Sequence, residues 1–265
     1  MNTRHPPRLA VIGLRGLPDV IGGIETHCAM LYPTLADHLP ELAITLLVRR
    51  RYVPCARFTY QGLDVRALRS PRGSASETLF HTLWALIYAR FVLAAGIVHL
   101  HGIGPGFYAP LARLLGMKVV VTDHAADFLR PKWGRPGRAF LRMGETLSAY
   151  FAHRLICVSE ALRQDLLTRH PRAANTAITI RHGVLLTQAA PDGDAERLSD
   201  MGVLPGRYLL AVTRLDSTKR VEDLIAAHAR AAHHAAAGHR GGRPGGQHGG
   251  QHGGQHGGTH RRRRV

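Results

Sequence analysis

Arg214 and Lys219 stand five positions apart where an apolar run, YLLAVT, gives way through a polar turn to the start of a helical pattern. A guanidinium at a strand end and an ammonium at a helix start can converge on a diphosphate, the first through forked hydrogen bonds and the second as a point charge. By itself that spacing is also common in surface loops. His99, His101 and His124 fall at the carboxyl ends of predicted parallel strands, where ligands bind in open α/β sheets. His124 stands ahead of the others because Asp123 and Asp127 flank it. A zinc site is a poor fit, since no i,i+4 pair or cysteine ligand accompanies them. Gly13, Gly16, Gly22 and Gly23 lie between a first strand and a first helix, where backbone amides can approach a phosphate and the helix dipole favours an anion. Their spacing is not GxGxxG, and a tight structural turn fits them as well as a phosphate loop does. The second strand ends in Arg49, Arg50 and Arg51 rather than an acidic ribose ligand, although arginines there suit a 2′-phosphate.

The elements that must position these groups alternate along the chain. Strands are expected at Arg8 to Gly13, Ala43 to Val48, Ile97 to His101, Met117 to Thr122, Arg154 to Val158 and Ala177 to Arg181. Helical patterns fall between them at Ile24 to Leu39, Glu77 to Ala95, Pro110 to Leu115 and Ala139 to Ala152, and Ser159 is placed to cap a further helix. Strict alternation predicts an α/β fold with a mostly parallel sheet covered on both faces. Residues 188–206 read as an interdomain connection, and Tyr208 starts a second α/β unit over residues 207–232. From His233 the composition collapses to Gly, His, Gln and Arg with a repeated QHGG unit, so residues 233–265 are expected to be a disordered tail.

With 265 residues and 45% hydrophobic content, at least one well-buried core is affordable. The formal charge of +17 is partly a tail effect, through Arg240, Arg243 and Arg261 to Arg264. The remaining basic residues are scattered, which points first to a solvated surface and next to an anionic membrane or lipid diphosphate, not to nucleic acid. Three widely spaced cysteines without a CxxC pair favour a reducing compartment. No secretory leader pattern opens the chain, and the apolar stretch Thr82 to Leu100 carries Arg90 at its middle, at a cost of about 2.5 to 3.5 kcal/mol for membrane insertion. A cytoplasmic protein is expected, with a peripheral position at the inner face of the plasma membrane as its extension.

Five segments in order, GGIET (Gly22 to Thr26), VVVTDHAADFLRPKWG (Val119 to Gly134), RLICVSEAL (Arg154 to Leu162), TIRHGV (Thr179 to Val184) and YLLAVTRLDSTKRVEDLIAAH (Tyr208 to His228), resemble the family 4 glycosyltransferases of the GT-B fold. The DHAADFLRPKWG variant is similar to a branch associated with bacterial rhamnosyl or related polysaccharide transfer. The resemblance implies that residues 1–187 form the acceptor-binding domain and that a nucleotide diphosphate sugar is the donor. It implies a saccharide or lipid-linked acceptor, retention at the transferred carbon and no metal cofactor. It carries His124 over as the histidine near the transferred sugar, Gly22 and Gly23 as the loop meeting the donor diphosphate, and Arg214 and Lys219 as the pair neutralising the leaving group. His101, Asp123 and Asp127 are expected on the acceptor side or in the cleft. Preorganised cations on a departing phosphate stabilise such a transition state. Two departures stand out: His182-Gly183 replaces the usual Asn-Gly, and Arg220 follows Lys219 where Gly is usual. The family's paired-glutamate motif is not found, so the donor domain is expected to be incomplete and turnover weak. A non-catalytic saccharide- or membrane-binding fragment is the alternative, and an NADP-linked oxidoreductase using Arg49 to Arg51 a more distant one.

Overall fold

The computed structural model describes residues 6–71, 73–131, 133–184, 198–204, 206, 208–213, 215 and 219–240. The chain divides into two compact units, Met1–Ala189 and Ala190–Val265. In the first, eight strands form one sheet: β1 Arg8–Ile12, β2 Ala43–Arg49, β3 Arg57–Tyr60, β4 Leu63–Leu68, β5 Ile97–His101, β6 Lys118–Asp123, β7 Arg154–Cys157 and β8 Ala177–Thr179. Their order is β3-β4-β2-β1-β5-β6-β7-β8, and every pairing is parallel except β3 with β4. The order reverses between β1 and β5, which opens a crevice outside their carboxyl ends.

Period-2 alternation divides the strand residues between two cores. Leu9 and Val11 of β1, Leu46 and Val48 of β2 and Val65 of β4 pack beneath Cys28 and Tyr32 of α1, Gly23–His38. Ala10, Ile12, Val98, Leu100, Val119, Val121, Leu155 and Cys157 face the other way. That side is covered by α2 Ser74–Phe91, α4 Ala109–Leu114, α5 Arg135–Phe151 and α6 Glu160–Arg169. The expected α/β architecture is therefore present. Ser159 caps α6 as its position suggests, its Oγ accepting the Leu162 N–H at 3.2 Å.

Several elements differ from expectation. The antiparallel β3–β4 hairpin was not foreseen; its turn, Gln61-Gly62, takes φ of 44° and 82°, the positive pair that a tight hairpin demands. A short helix, α3 Ile103–Gly106, follows β5 directly. It lies so close to α5 that a Cβ on Gly144 would collide with the Ile103 carbonyl. Among the described residues no helix is long and apolar enough to cross a membrane, and the stretch Thr82 to Leu100 resolves into the end of α2 and β5.

In the second unit a helix spans Val221–Arg240, and described residues 208–213 are not in a strand. The helix continues past His233, where composition predicts loss of order. Six alanines between Ala229 and Ala237 supply the helix propensity that composition by type had hidden. The expected tail beyond Arg240 lies outside the described residues.

Candidate functional site

The carboxyl ends of β5 and β6 carry an unusual load of imidazole. His99 and His101 are both on the α1 face of β5, because residues two apart share a face, and His124 follows the last residue of β6. Gly13, directly after β1, makes the approach possible: its φ is +122°, and a Cβ there would strike the His101 backbone. His27, in the first turns of α1, and His182, after β8, complete the group.

These side chains form one line of hydrogen bonds. Thr122 Oγ1 meets His99 Nε2 at 2.7 Å, and His99 Nδ1 meets the Tyr32 hydroxyl at 2.8 Å. The same hydroxyl contacts His101 Nε2 at 2.5 Å, and His101 Nδ1 lies 3.0 Å from His124 Nε2. His124 Nδ1 is 3.3 Å from His182 Nε2, and His182 Nδ1 is 2.9 Å from His27 Nδ1. The nitrogens pair off along the line, and among the described residues no three metal-binding side chains converge on a point. Tyr32 and His101 are fully buried, while His182 is exposed. Burial is the main force on every ring: it lowers His99 and His124 to about 3 and His27 to about 4, and it holds His101 well below the ordinary histidine range. Neighbouring imidazoles add to the shift, so the line is neutral at physiological pH.

A cavity of about 370 Å³ opens beside this line, with Gly13, Arg49, His101, Gly102, Asp127 and Trp133 in its wall. It sits at the crevice between β1 and β5, and its size suits a small polar ligand. A second cavity of about 550 Å³ runs along the α1 face of the sheet past Leu9, Leu35, Ile97 and Val120, with His27, His99 and His182 also in its wall.

The structure brings His101 and His124 together, and His101 and Asp127 both line the cavity of about 370 Å³; Asp127 pairs with Arg130 at 2.8 Å. Asp123 does not join them. It shares the face of Val119 and Val121, opposite the histidines, and lies in register with Cys157. Its Oδ1 accepts the Ala125 N–H at 3.2 Å, and Oδ2 has no hydrogen-bond partner among the described residues. Burial first, then the charge of Glu145, pushes this carboxyl up to about 7. Gly22 caps the N-terminus of α1 and Gly23 opens it; the space beside Gly23 is empty out to 4 Å. The loop before them is tied down by Glu25, whose Oε1 accepts both the Arg15 N–H and Nε–H at 3.0 Å. Arg214 lies outside the described residues, and Lys219 is exposed in the second unit.

Sequence reasoning did not single out Tyr32 or His27, and it met His182 only as a departure from Asn-Gly. It also left Arg49 to Arg51 open to a 2′-phosphate. In the structure Arg49 donates to Glu77 at 3.1 Å and to Thr78 at 3.1 Å, Arg51 pairs with Glu77 at 3.4 Å, and Arg50 donates to the Val53 carbonyl at 2.6 Å. The residues on which the oxidoreductase alternative rested are thus engaged internally.

A mostly parallel, doubly covered sheet with its crevice at the β1–β5 reversal defines a Rossmann-like domain of the kind found in GT-B enzymes. The profile of Glycosyltransferase Family 4 matches residues 21–188, more than half of the chain, and the chain belongs to that family. Among solved structures it is similar to sucrose-phosphate synthase from Thermosynechococcus elongatus, with a TM-score of 0.68 and 18% identity over 84% of this chain and 60% of that one. It also matches the catalytic domain of starch synthase IV from Arabidopsis thaliana bound to ADP and acarbose, with a TM-score of 0.49 and 10% identity over 68% of this chain and 52% of that one. A third match is UDP-GlcNAc 2-epimerase from Methanocaldococcus jannaschii, with a TM-score of 0.41 and 15% identity over 65% of this chain and 45% of that one. The chain therefore spans less than two thirds of the length of each of these structures. No curated protein sequence matches it.

Proposed function

We propose that this protein serves the transfer of a hexose or deoxyhexose from a nucleotide diphosphate sugar to a saccharide or lipid-linked acceptor, with residues 1–187 supplying the acceptor side of the cleft. The observation that carries this reading is the coincidence, in a family 4 chain, of a cavity at the β1–β5 crevice with a neutral histidine line that reaches its wall through His101. A neutral imidazole can hydrogen-bond a sugar hydroxyl without attracting a counter-anion into the cleft.

His124 is the residue we assign to the transferred sugar. Gly22 and Gly23, at the N-terminus of α1, suit the donor diphosphate, since the first-turn amides and the helix dipole favour an anion there. Arg214 and Lys219 are assigned to the leaving diphosphate, where positive charge stabilises the negative charge that develops as the glycosidic bond breaks. Transfer then needs no metal. Retention of configuration, a role in polysaccharide assembly and a cytoplasmic position at an anionic membrane surface belong to the same reading.

The test is acceptor-dependent release of nucleoside diphosphate by the full chain, across a panel of nucleotide diphosphate sugars and saccharide or lipid-linked acceptors. Release with at least one donor, lost in His124→Ala and in Lys219→Ala, is expected. Saccharide or liposome binding without affinity for any nucleotide sugar would instead identify a non-catalytic binding module.

A further inference from the structure

The line of hydrogen bonds from Thr122 to His27 has a property that follows from counting protons. A neutral imidazole has one N–H and one lone pair. His99, His101, His124 and His182 each use both ring nitrogens, so each must donate once and accept once. The direction of donation at one bond therefore dictates the next. Tyr32 transmits it too, because it is fully buried and, among the described residues, its hydroxyl meets only His99 and His101. If both rings donated to it, its own hydrogen would be stranded.

Only two arrangements remain, and the ends decide between them. In the inward arrangement His99 donates to Thr122, and among the described residues the Thr122 hydroxyl hydrogen, at a residue only 2% exposed, is left without an acceptor. In the outward arrangement Thr122 donates to His99, every buried donor is satisfied, and the surplus hydrogen is the Nε2–H of His27 at the half-buried end. Stranding a buried donor is costly, whereas an accessible one is met by water.

We propose that all six bonds run outward from Thr122, so that Thr122 and Tyr32 are positioning residues that hold His124 in its Nδ1–H form, as a donor toward a ligand oxygen. His124 Nε2 is then occupied by His101, and its Nδ1–H points at His182, an exposed ring on the segment after β8. A hydroxyl or phosphate oxygen that takes the place of His182 receives the same hydrogen. Ammonium groups, which only donate, find no acceptor there. The identification of that oxygen with a sugar hydroxyl rests on the reading under Proposed function; the direction of the line does not.

Long-range ¹H–¹⁵N correlation spectra of the full chain, labelled at histidine, report tautomers directly and need no turnover. At neutral pH the expected result is Nδ1–H for His99, His101, His124 and His182, and Nε2–H for His27. Tyr32→Phe keeps the ring but removes the hydroxyl that commits His101, and His124 should then average between both tautomers. An Nε2–H form of His124 in the wild-type spectrum overturns the proposal, as does an unchanged His124 tautomer in a folded Tyr32→Phe protein. Should that variant not fold, the wild-type spectrum decides alone. Absence of glycosyl transfer would leave these spectra untouched, so the two readings fail separately.

Discussion

Burying neutral histidines makes folding stability depend on pH with a definite sign. His99 titrates at about 3 and His81, buried under the Val48 carbonyl, at about 4, both because burial penalises the charged ring. Unfolded histidine titrates near pH 6.5, so between about pH 4 and 6 the unfolded chain binds protons that the folded chain refuses. Stability must fall as pH falls through that window. Each such ring contributes a slope of about 1.4 kcal/mol per pH unit, or about 2 kcal/mol lost between pH 7 and pH 5. Asp123 acts in the opposite sense. Its carboxyl, raised to about 7, keeps a proton that the unfolded chain has released above about pH 4, which returns about 2 kcal/mol over the same interval. Two histidines against one carboxyl leave a net loss of about 2 kcal/mol at pH 5, before His101 and the less buried rings are added. Urea unfolding at pH 7, 6 and 5 measures it, and His99→Gln should flatten the slope by about one proton, near 1.4 kcal/mol per pH unit. Stability that holds level or rises toward pH 5, or a slope that His99→Gln leaves alone, would refute the claim that the line is buried and neutral.

Two further substitutions probe what holds the site from behind. Gly144→Ala forces α5 away from the Ile103 carbonyl of α3 and should cost about 1 to 3 kcal/mol by thermal or urea unfolding. Glu145→Gln removes the carboxylate that accepts from Arg169 at 2.9 and 3.0 Å and from His170 at 3.1 Å; a loss of about 2 kcal/mol is expected. The same change takes away the charge that, after burial, does most to raise Asp123, so the Asp123 carboxyl should titrate lower by ¹³C NMR.

The parts of this fold that could be read from sequence are those with local signals. The strand Ile97–His101 coincides with its expected bounds, and Ser159 could be placed as a cap because an extended residue with a side-chain oxygen precedes a helical run. The β3–β4 hairpin was missed because RFTY and LDVRAL are short and interleave charged residues. Its two-residue Gln61-Gly62 turn was the available clue. The histidine line was half visible: strand ends pointed to His99, His101 and His124, but His27 and His182 are 155 residues apart and meet only through the fold. Asp123 misled because adjacency to His124 in sequence implies, in a strand, opposite faces. Of the strongest local pair, Arg214 lies outside the described residues and Lys219 belongs to the second unit.

The most direct test of the central claim is to map ligand contact by backbone amide NMR while titrating saccharide acceptors and nucleotide diphosphate sugars into the full chain. The β1–β5 crevice as the sugar site predicts that Gly13, Gly102 and His124 shift, while Gly96 and Gly116, at the amino ends of β5 and β6, stay still. Shifts centred on Gly96 and Gly116, or none with any sugar or nucleotide sugar, would contradict it.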